Sequence, residues 1–267
     1  MKILVTGARG NLGSHCVDRA EKNGIEVIPI ERSSWCNVEQ LIQGCDAVLH
    51  AAGDIRTSFT ANPEAYLQSN VLMSSILLRL CAKYGIKNFY FVSSCAVYGD
   101  VNRSVEGQQC YPISVNGKLK KLNEDIIQGF CESNGINHSS FRVFNLFGGD
   151  DRFSIVNYLK KAINDESVFY LNNDGLSLRD FIHVDDVSDI ILDIVMKGEF
   201  PPVINVGTGK AVKIVDILDV ALMRHPNLNI LRTFNEEAEY SRADIAQLSS
   251  IVGDKKFISI MDFVETI

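Results

Sequence analysis

The chain of 267 residues is 46% hydrophobic and 22% charged, a balance typical of one compact globular unit or of a domain with a small appendage. Its formal net charge is −7, and apart from Lys118, Lys120 and Lys121 its basic residues are scattered, so we expect no surface for nucleic acid. Seven cysteines without C-x-x-C spacing favour reduced thiols in a cytoplasmic protein, and the apolar stretches are too short to cross a membrane.

Short apolar runs typical of β-strands alternate with helical patterns through the first half of the chain. In order, these runs are KILVT, EVIPI, DAVLH, NFYFVSS and HSSFRVF. Because they are apolar throughout and not only at every second residue, they indicate strands buried on both faces of a parallel sheet. We therefore predict an α/β fold with a doubly wound, Rossmann-like parallel sheet, and a smaller mixed region after about Gly148, where the pattern loses its regularity.

A glycine-rich loop follows the first strand directly. The run KILVTGARGNLGSH places Gly7, Gly10 and Gly13 between a strand and a helix. Glycines allow a tight turn there and let backbone N–H groups approach a pyrophosphate, whose charge the helix N-terminus favours. The pattern predicts a dinucleotide site, and the alternative is a turn without a ligand. The other loop residues assigned to this site are Arg9, Asn11 and Leu12.

The end of the second strand, IERSS, carries two opposite signals about the cofactor. Glu31 is placed to accept hydrogen bonds from an adenosine ribose, which favours NAD. Arg32 beside it is placed to hold a 2′-phosphate, which favours NADP. We predict NAD, with NADP as the alternative.

Later segments resemble one enzyme family in their order along the chain. They are HAAG, SNVLMSS, SSCAVYG, RVFNLFG, and RDFIHVDDV with NVGTG. Together with the glycine loop they resemble the extended short-chain dehydrogenase/reductases, in the branch of NAD-dependent nucleotide-sugar epimerases and dehydratases. The resemblance covers nearly the whole chain, which makes it more specific than any single motif.

The resemblance implies roles for individual residues. HAAG would lie beside the cofactor, with Asn70 on a neighbouring helix, and Ser94 matches a hydroxyl that contacts the substrate. Asn145 would line the nicotinamide and the sugar, and Arg179 would help to hold the nucleotide diphosphate. The remaining residues that the resemblance adds are Ala51, Ala52, Gly53 and Ser93 at the cofactor and Cys95 at the substrate.

Several of these motifs also have a purely structural interpretation. His50 is expected to be a satisfied core histidine, and Tyr98 a structural residue. His183, followed by Asp185 and Asp186, suggests a metal site at first sight, but the histidine lies in an apolar strand pattern and the acids are typical of a helix start. The ligand set is incomplete, and we predict no metal.

The run PISVNGKLKKLNED departs from the family at its most important position. The family run is P-x-x-P-Y-G-x-S-K-x-x-x-E, in which the Tyr moves a proton and the Lys lowers the pKa of that Tyr and positions the ribose of the cofactor. Pro112, Gly117 and Glu124 fix the register, so Lys120 matches the Lys and Asn116 replaces the Tyr. An amide neither gains nor loses a proton near neutral pH, so Asn116 orients a group but is not an acid or base. The predicted catalytic residues are Ser94, Asn116 and Lys120, and the proton carriers left open are Lys120 through a water, Tyr111, Cys95 and Ser94.

A second departure lies near the C-terminus. In RTFNEEAEYSRADIAQL, Phe234 stands where the family has a phosphate-binding Arg. Arg232 and Arg242 are the two residues expected to compensate. The replacement at Phe234 thus bears on the binding of a nucleotide sugar and not on the binding of a dinucleotide.

The predicted organisation follows from these motifs. Residues 1–147 form a dinucleotide-binding domain, with 179–208 returning to its sheet, and residues 148–178 and 209–267 form the substrate-binding region. The resemblance also implies a homodimer through a four-helix bundle, built by the helices near 64–83 and 116–133. The alternative is that these amphipathic helices only cover the sheet.

The predicted function is that of an NAD(P)-dependent nucleotide-sugar epimerase or 4-keto-sugar reductase with a modified proton relay. Reduction depends less on the missing base than oxidation of an alcohol does, because a ketone is already electrophilic and needs only a proton donor. The alternative is a catalytically impaired dinucleotide-binding sensor or scaffold protein, which the replacements at Asn116 and Phe234 favour. Against it stand Ser94, Asn145 and Arg179, which occupy positions where a substrate would bind.

Overall fold

This computed structural model describes residues 1–54, 63–235 and 237–267. Its strands are β1 Lys2–Thr6, β2 Glu26–Ile30, β3 Ala47–His50, β4 Asn88–Ser94, β5 Val101–Ser104, β6 Asn137–Val143, β7 Asn145–Phe147, β8 Phe169–Asn172, β9 Leu178–His183, β10 Val203–Val206, β11 Ala211–Lys213, β12 Ile230–Thr233 and β13 Tyr240–Ala243. Its helices are α1 Asn11–Lys22, α2 Val38–Leu41, α3 Pro63–Leu67, α4 Met73–Tyr84, α5 Val115–Asn134, α6 Ile155–Asn164, α7 Val184–Lys197, α8 Ile214–Arg224, α9 Ala246–Val252 and α10 Ile260–Val264, and a π-helical turn over Gln68–Leu72 joins α3 to α4.

The chain divides into two compact units, each assembled from three separate segments. The functions assigned above to the parts of the chain stay predictions. The first unit comprises Met1–Gly99, Gln109–Arg142 and Ser188–Ile204, and the second comprises Asp100–Gln108, Val143–Val187 and Asn205–Ile267.

The main sheet has six strands in the order β10-β6-β4-β3-β1-β2. β1 runs parallel to β2 and β3, and β3 runs parallel to β4. Ile3, Leu4 and Val5 of β1 are each at most 1% exposed, as expected for a strand covered on both faces. The predicted α/β fold with a Rossmann-like parallel sheet is therefore confirmed.

Helices α4 and α5 pack beside each other and contribute to one hydrophobic cluster with the main sheet. Leu80 of α4 and Ile127 of α5 are 1% and 0% exposed, so they belong to the core of the first unit. Leu72 and Leu122 are 50% and 44% exposed. Leu72 and Leu122 are therefore available for a contact with another chain, and the homodimer stays a prediction.

The second unit contains a smaller sheet in the order β11-β9-β13-β5, with β7 also paired to β9, and a two-stranded sheet of β12 and β8. The sequence predicts that the strands of RDFIHV and PVINV both return to the main sheet. β10 does so, whereas β9 lies in the smaller sheet. The reason is that β9 pairs in parallel with β7 and β13 and antiparallel with β11, which uses both of its edges.

His183 ends β9 in an aromatic environment. It is 7% exposed, and its ring lies 5.1 Å and 5.4 Å from the ring centroids of Phe147 and Phe263. Asp185 and Asp186 lie in the first turn of α7, as the structural interpretation expects. Across the described ranges, no group of His, Cys, Asp and Glu side chains is arranged to hold a metal ion.

Within the same ranges, none of the helices combines the length and the apolar character that a membrane span requires.

Candidate active site

The loop between β1 and α1 is closed tightly by its glycines. Gly7 has a positive φ of 69°, and a Cβ built on it would lie 2.8 Å from the backbone nitrogen of Ala52. A Cβ on Gly13 would lie 2.1 Å from the carbonyl oxygen of Gly7. Gly10 gives α1 no side-chain cap, and no acidic residue lies in the first turn. The N–H groups of Leu12 and Gly13, in the first turn of α1, can therefore donate to an anion, which the helix dipole would stabilise.

The carboxyl end of β2 carries both residues that bear on the choice of cofactor. Nε of Arg9 lies 2.6 Å from Oε1 of Glu31, and the N–H of Glu31 donates to the hydroxyl of Ser34 at 2.9 Å. Arg32 is exposed, and within the described ranges it makes no ion pair. Glu31 is thus a carboxylate already paired by the glycine loop, and Arg32 is a surface cation.

The end of β3 is tied to β1 through His50. The Nδ1 atom of His50 lies 2.7 Å from Oγ1 of Thr6, and its Nε2 atom lies 3.0 Å from Oγ of Ser74. The N–H of Ala52 donates to the same Thr6 oxygen at 3.2 Å. His50 is fully buried, and burial lowers its pKa to about 3, with the positive charge of Lys120 as a smaller cause. The prediction of a satisfied core histidine is confirmed.

Asn70 and Lys120 both lie beside the strand exit, which is the segment of residues 51–54 that follows β3. Asn70 is 3% exposed and lies in the π-helical turn, where its Oδ1 accepts a hydrogen bond from the N–H of Asp54 at 3.0 Å. A Cβ built on Gly53 would lie 3.0 Å from that Oδ1 and 3.5 Å from Nζ of Lys120. The side chain of Asn123 on α5 donates to the carbonyl of Asn70 at 2.7 Å. These bonds hold the π-helical turn, α5 and the residues after β3 together.

The first turn of α5 closely approaches the serine loop, which is the segment SSCAVYG at residues 93–99. Ser114 caps the helix, because its Oγ accepts a hydrogen bond from the N–H of Gly117 at 3.1 Å. A Cβ built on Gly117 would lie 2.3 Å from the carbonyl oxygen of Ala96, so only glycine fits there. Asn116 lies in this turn, and its Oδ1 is buried without a hydrogen-bond partner among the described residues. The amide therefore retains a buried acceptor for another molecule.

The two serines after β4 have different partners. Ser94 is half-buried and caps the 3₁₀ turn Cys95–Val97, where its Oγ accepts a hydrogen bond from the N–H of Ala96 at 3.2 Å. Ser93 is buried and donates to Oε1 of Glu124 at 2.5 Å. Ser94 thus keeps its hydroxyl proton available, whereas Ser93 is used inside the fold.

Glu124 and Arg142 form a buried ion pair, which was not predicted from the sequence. Nη2 of Arg142 lies 2.7 Å from Oε2 of Glu124, and the two side chains are 4% and 5% exposed. The guanidinium carbon lies 4.6 Å from the ring centroid of Tyr98. Tyr98 is 1% exposed, which confirms its structural interpretation. The signal that could have revealed the pair is an Arg within the apolar run RVFNLFG together with a Glu on the sheet-facing side of α5.

Lys120 is buried beside this pair but is not part of it. It is 6% exposed, its Nζ donates to the carbonyl of Val92 at 2.7 Å, and it lies 4.7 Å from the ring centroid of Phe91. No carboxylate pairs with it among the described residues. Burial lowers the pKa of Lys120 to about 8, although the charge of Glu124 acts in the opposite direction. The amine is therefore able to change its protonation close to neutral pH.

Asn145 and Arg179 belong to the second unit and are held by its backbone. Nδ2 of Asn145 donates to the carbonyl of Asp180 at 2.7 Å. Arg179 donates to the carbonyl of Ala238 and lies 3.5 Å from the carboxylate of Glu237. Arg179 is thus a cation partly neutralised by a neighbouring acid.

Asp180 connects the segments RDFIHVDDV and NVGTG, which the sequence analysis compares with the family. It is fully buried, and its carboxylate accepts hydrogen bonds from the N–H groups of Thr208 at 3.0 Å, Gly209 at 2.9 Å and Ala243 at 3.1 Å. Burial raises the pKa of Asp180, while these hydrogen bonds lower it. The Asp of RDFIHV therefore fixes the loop of NVGTG.

Phe234 and the two arginines expected to compensate for it lie in different environments. Phe234 is 76% exposed. Of the two arginines expected to compensate for it, Arg232 pairs with Asp174, whereas Arg242 lines a cavity of about 350 Å³ together with Lys210. Arg242 is thus the one of the two that faces an open space in the second unit.

Comparison with known proteins gives consistent results. The sequence model of the NAD dependent epimerase/dehydratase family matches residues 3–207. The UDP-glucose 4-epimerase of Lactobacillus helveticus is 28% identical, with 83% of this chain and 81% of that protein covered. The structure of MoeE5 in complex with UDP-glucose and NAD has a TM-score of 0.88 at 25% identity, covering 100% and 97% of the two chains. The UDP-glucuronic acid 4-epimerase of Bacillus cereus in complex with UDP-glucuronic acid and NAD shares the fold, with a TM-score of 0.89, 24% identity and 99% and 97% of the chains covered.

Proposed function

We propose that this chain, which belongs to the NAD dependent epimerase/dehydratase family, acts on a nucleotide-linked sugar as an epimerase or 4-keto-sugar reductase with a modified proton relay. The family confirms the resemblance read from the sequence, and its members are NAD-dependent enzymes. The observation that supports the proposal most directly lies in the first unit, where α5 carries Asn116 and Lys120 against the serine loop and against the strand exit at Gly53.

The residues of the first unit fit the cofactor of this family. The backbone of Gly7, Gly10 and Gly13 forms a tightly closed loop at the uncapped start of α1, in which a Cβ on Gly7 would collide with the backbone of Ala52 and a Cβ on Gly13 with the carbonyl of Gly7. We assign the pyrophosphate to that loop, the cradle for the dinucleotide, and the nicotinamide half to the residues around Gly53 and Lys120. When bound, the nicotinamide ring supplies hydride transfer.

Asn116 and Ser94 would orient the reacting oxygen of the sugar. The buried Oδ1 of Asn116 can accept from a hydroxyl, and the hydroxyl of Ser94 can donate to a carbonyl oxygen. Neither group replaces the proton transfer of a Tyr, and such a loss forfeits about 10²–10⁴ in rate unless another group serves. Reduction of a ketone is slowed less by the missing tyrosine than oxidation of an alcohol is, and this difference favours the reductase.

Within the second unit, Arg179 and Arg242 are the cations that we assign to the diphosphate of the substrate. Arg179 lies 3.5 Å from the carboxylate of Glu237, and Arg242 lines a cavity of that unit together with Lys210. We also propose the homodimer on α4 and α5, and a monomeric mass in solution would contradict it.

The substitution Gly13→Ala is expected to lower the affinity for NAD at least tenfold, or by about 1.4 kcal/mol. The added Cβ would lie 2.1 Å from the carbonyl of Gly7, so the loop must shift away from the pyrophosphate. Titration calorimetry with NAD measures the effect. The matched control is Gly129→Ala on α5, where a Cβ would meet nothing within 4 Å, and equal affinities of the two variants would refute the assignment.

The reaction is tested with the purified protein and a panel of nucleotide sugars and their 4-keto derivatives. We expect nicotinamide absorbance to change with at least one 4-keto compound, or a nucleotide sugar to be epimerised in the presence of NAD. Tight binding of NAD without binding or reaction of any nucleotide sugar would support the sensor or scaffold alternative, which the replacements at Asn116 and Phe234 favour.

A further inference from the structure

The titratable groups around the first turns of α5 differ in their freedom to exchange a proton. Glu124 is held by Ser93 and Arg142. His50 lies between two hydroxyls, and burial lowers its pKa to about 3. Tyr111 is 64% exposed. These groups are either committed to the fold or turned toward solvent.

Lys120, by contrast, is buried and still has hydrogen-bond donors that the described part of the chain does not use. Its ammonium donates one hydrogen bond, to the carbonyl of Val92 at 2.7 Å, and no carboxylate pairs with it among the described residues. The groups around it are the Phe91 ring, the Asn70 amide beside Gly53, and two titratable side chains: Glu124 on its own helix and His50 at the end of β3. Two of its three N–H bonds are left for a ligand or a water molecule.

Asn116 lies one helical turn before Lys120, so the two side chains share one face of α5. The buried Oδ1 of Asn116 lacks a partner among the described residues. An amide oxygen that accepts and an ammonium that donates, one turn apart, suit a water molecule or a sugar oxygen held between them.

We propose that Lys120 is the proton-transfer residue of this chain, acting on the sugar oxygen directly or across one water molecule held by Asn116. The proposal rests on the proposed function of the first unit. In reduction, the keto carbon receives the hydride that a reduced nicotinamide dinucleotide supplies, and the carbonyl π pair moves to oxygen. That oxygen takes a proton from the Lys120 ammonium and becomes a hydroxyl. The neutral amine regains a proton from solvent.

The direction of the pH dependence follows from burial, which lowers the pKa of Lys120 to about 8. The ammonium is present below that pH and is lost as the pH rises through it. The rate of ketone reduction should therefore fall above a pH of about 8, and the rate of alcohol oxidation should rise through the same range.

The first test needs no turnover. The lysines of the intact protein are dimethylated with ¹³C-formaldehyde, and their NMR signals are followed against pH in the absence and presence of NAD. The signal missing from Lys120→Arg identifies Lys120. We expect it to titrate well below the value of about 10.4 that is ordinary for lysine. A titration at the ordinary value would overturn the proposal, whether or not a nucleotide sugar reacts.

The second test separates proton transfer from cofactor binding. Arginine keeps the charge and the donors but does not release a proton. Lys120→Arg is expected to keep the melting temperature and, at NAD concentrations that saturate the variant by calorimetry, to lose about 10²–10⁴-fold in turnover. The matched control is Lys118→Arg, on the exposed side of the same helix, with no loss expected. Full activity of Lys120→Arg, or an equal loss in Cys95→Ser or Tyr111→Phe, would overturn the proposal, whereas an unreactive wild type that binds NAD would overturn the proposed function.

Discussion

Replacement of Asn116 by tyrosine is expected to raise epimerase-type turnover of a nucleotide-linked sugar by about 10²–10⁴-fold. The substitution restores a phenol one helical turn before Lys120, whose positive charge lowers the pKa of that phenol. The close approach of Gly117 to the carbonyl of Ala96 keeps this turn of α5 against the serine loop, so the new side chain would leave the helix where Asn116 does and carry its hydroxyl farther out.

Asn116→Phe is the matched control for this gain. Phenylalanine fills the same space without a proton to transfer, so it should leave turnover at or below that of the wild type. Steady-state rates of both variants, at saturating NAD and with melting temperatures checked, give the comparison. Equal rates for the Tyr and Phe variants would mean that other residues of the site no longer support epimerisation.

Arg142→Leu is expected to lower the free energy of unfolding by about 3–5 kcal/mol, because it leaves the carboxylate of Glu124 buried without its cation. Both side chains are at most 5% exposed, and Nη2 of Arg142 lies 2.7 Å from that carboxylate. In the variant, the carboxylate of Glu124 would keep only the hydrogen bond that Ser93 donates to it. Urea unfolding of the wild type and the variant measures the difference.

Two further variants separate this explanation from a general loss of packing. The double variant Glu124→Leu with Arg142→Leu should recover most of the stability, because no charge is then left buried. Arg103→Leu removes an ion pair to Asp244 in which the Arg side chain is 62% exposed, so it should change the stability by less than about 1 kcal/mol. A double variant no more stable than Arg142→Leu would contradict the account.

The parts of the site that follow from local chemistry could be predicted from the sequence. The spacing of Gly7, Gly10 and Gly13 after an apolar run predicts the loop, because the crowding that requires glycine at Gly13 comes from the carbonyl of Gly7 within the same loop. The helix around Asn116 is placed by its resemblance to the family run, and the structure adds the local reasons, since Ser114 caps the helix and Gly117 makes its close contact.

The parts that depend on distant residues could not be predicted. Glu124 served only to fix a register, because its partner Arg142 lies on another element and charge pairing across a fold leaves no local signal. The same holds for β9, whose apolar run suits any sheet, and whose place in the smaller one is decided by its pairing with β7, β11 and β13. The lowered pKa of Lys120 likewise arises from burial that no single segment reveals.

Calorimetry of the wild-type chain with oxidised and reduced nicotinamide dinucleotides tests the central claim most directly. The glycine-framed N–H groups at the start of α1 should bind one dinucleotide per chain with measurable heat, and crystals soaked with it should show the pyrophosphate at Gly10. No heat with either form, together with an empty groove in the soaked crystal, would contradict both the enzyme and the sensor, since each depends on the same cradle.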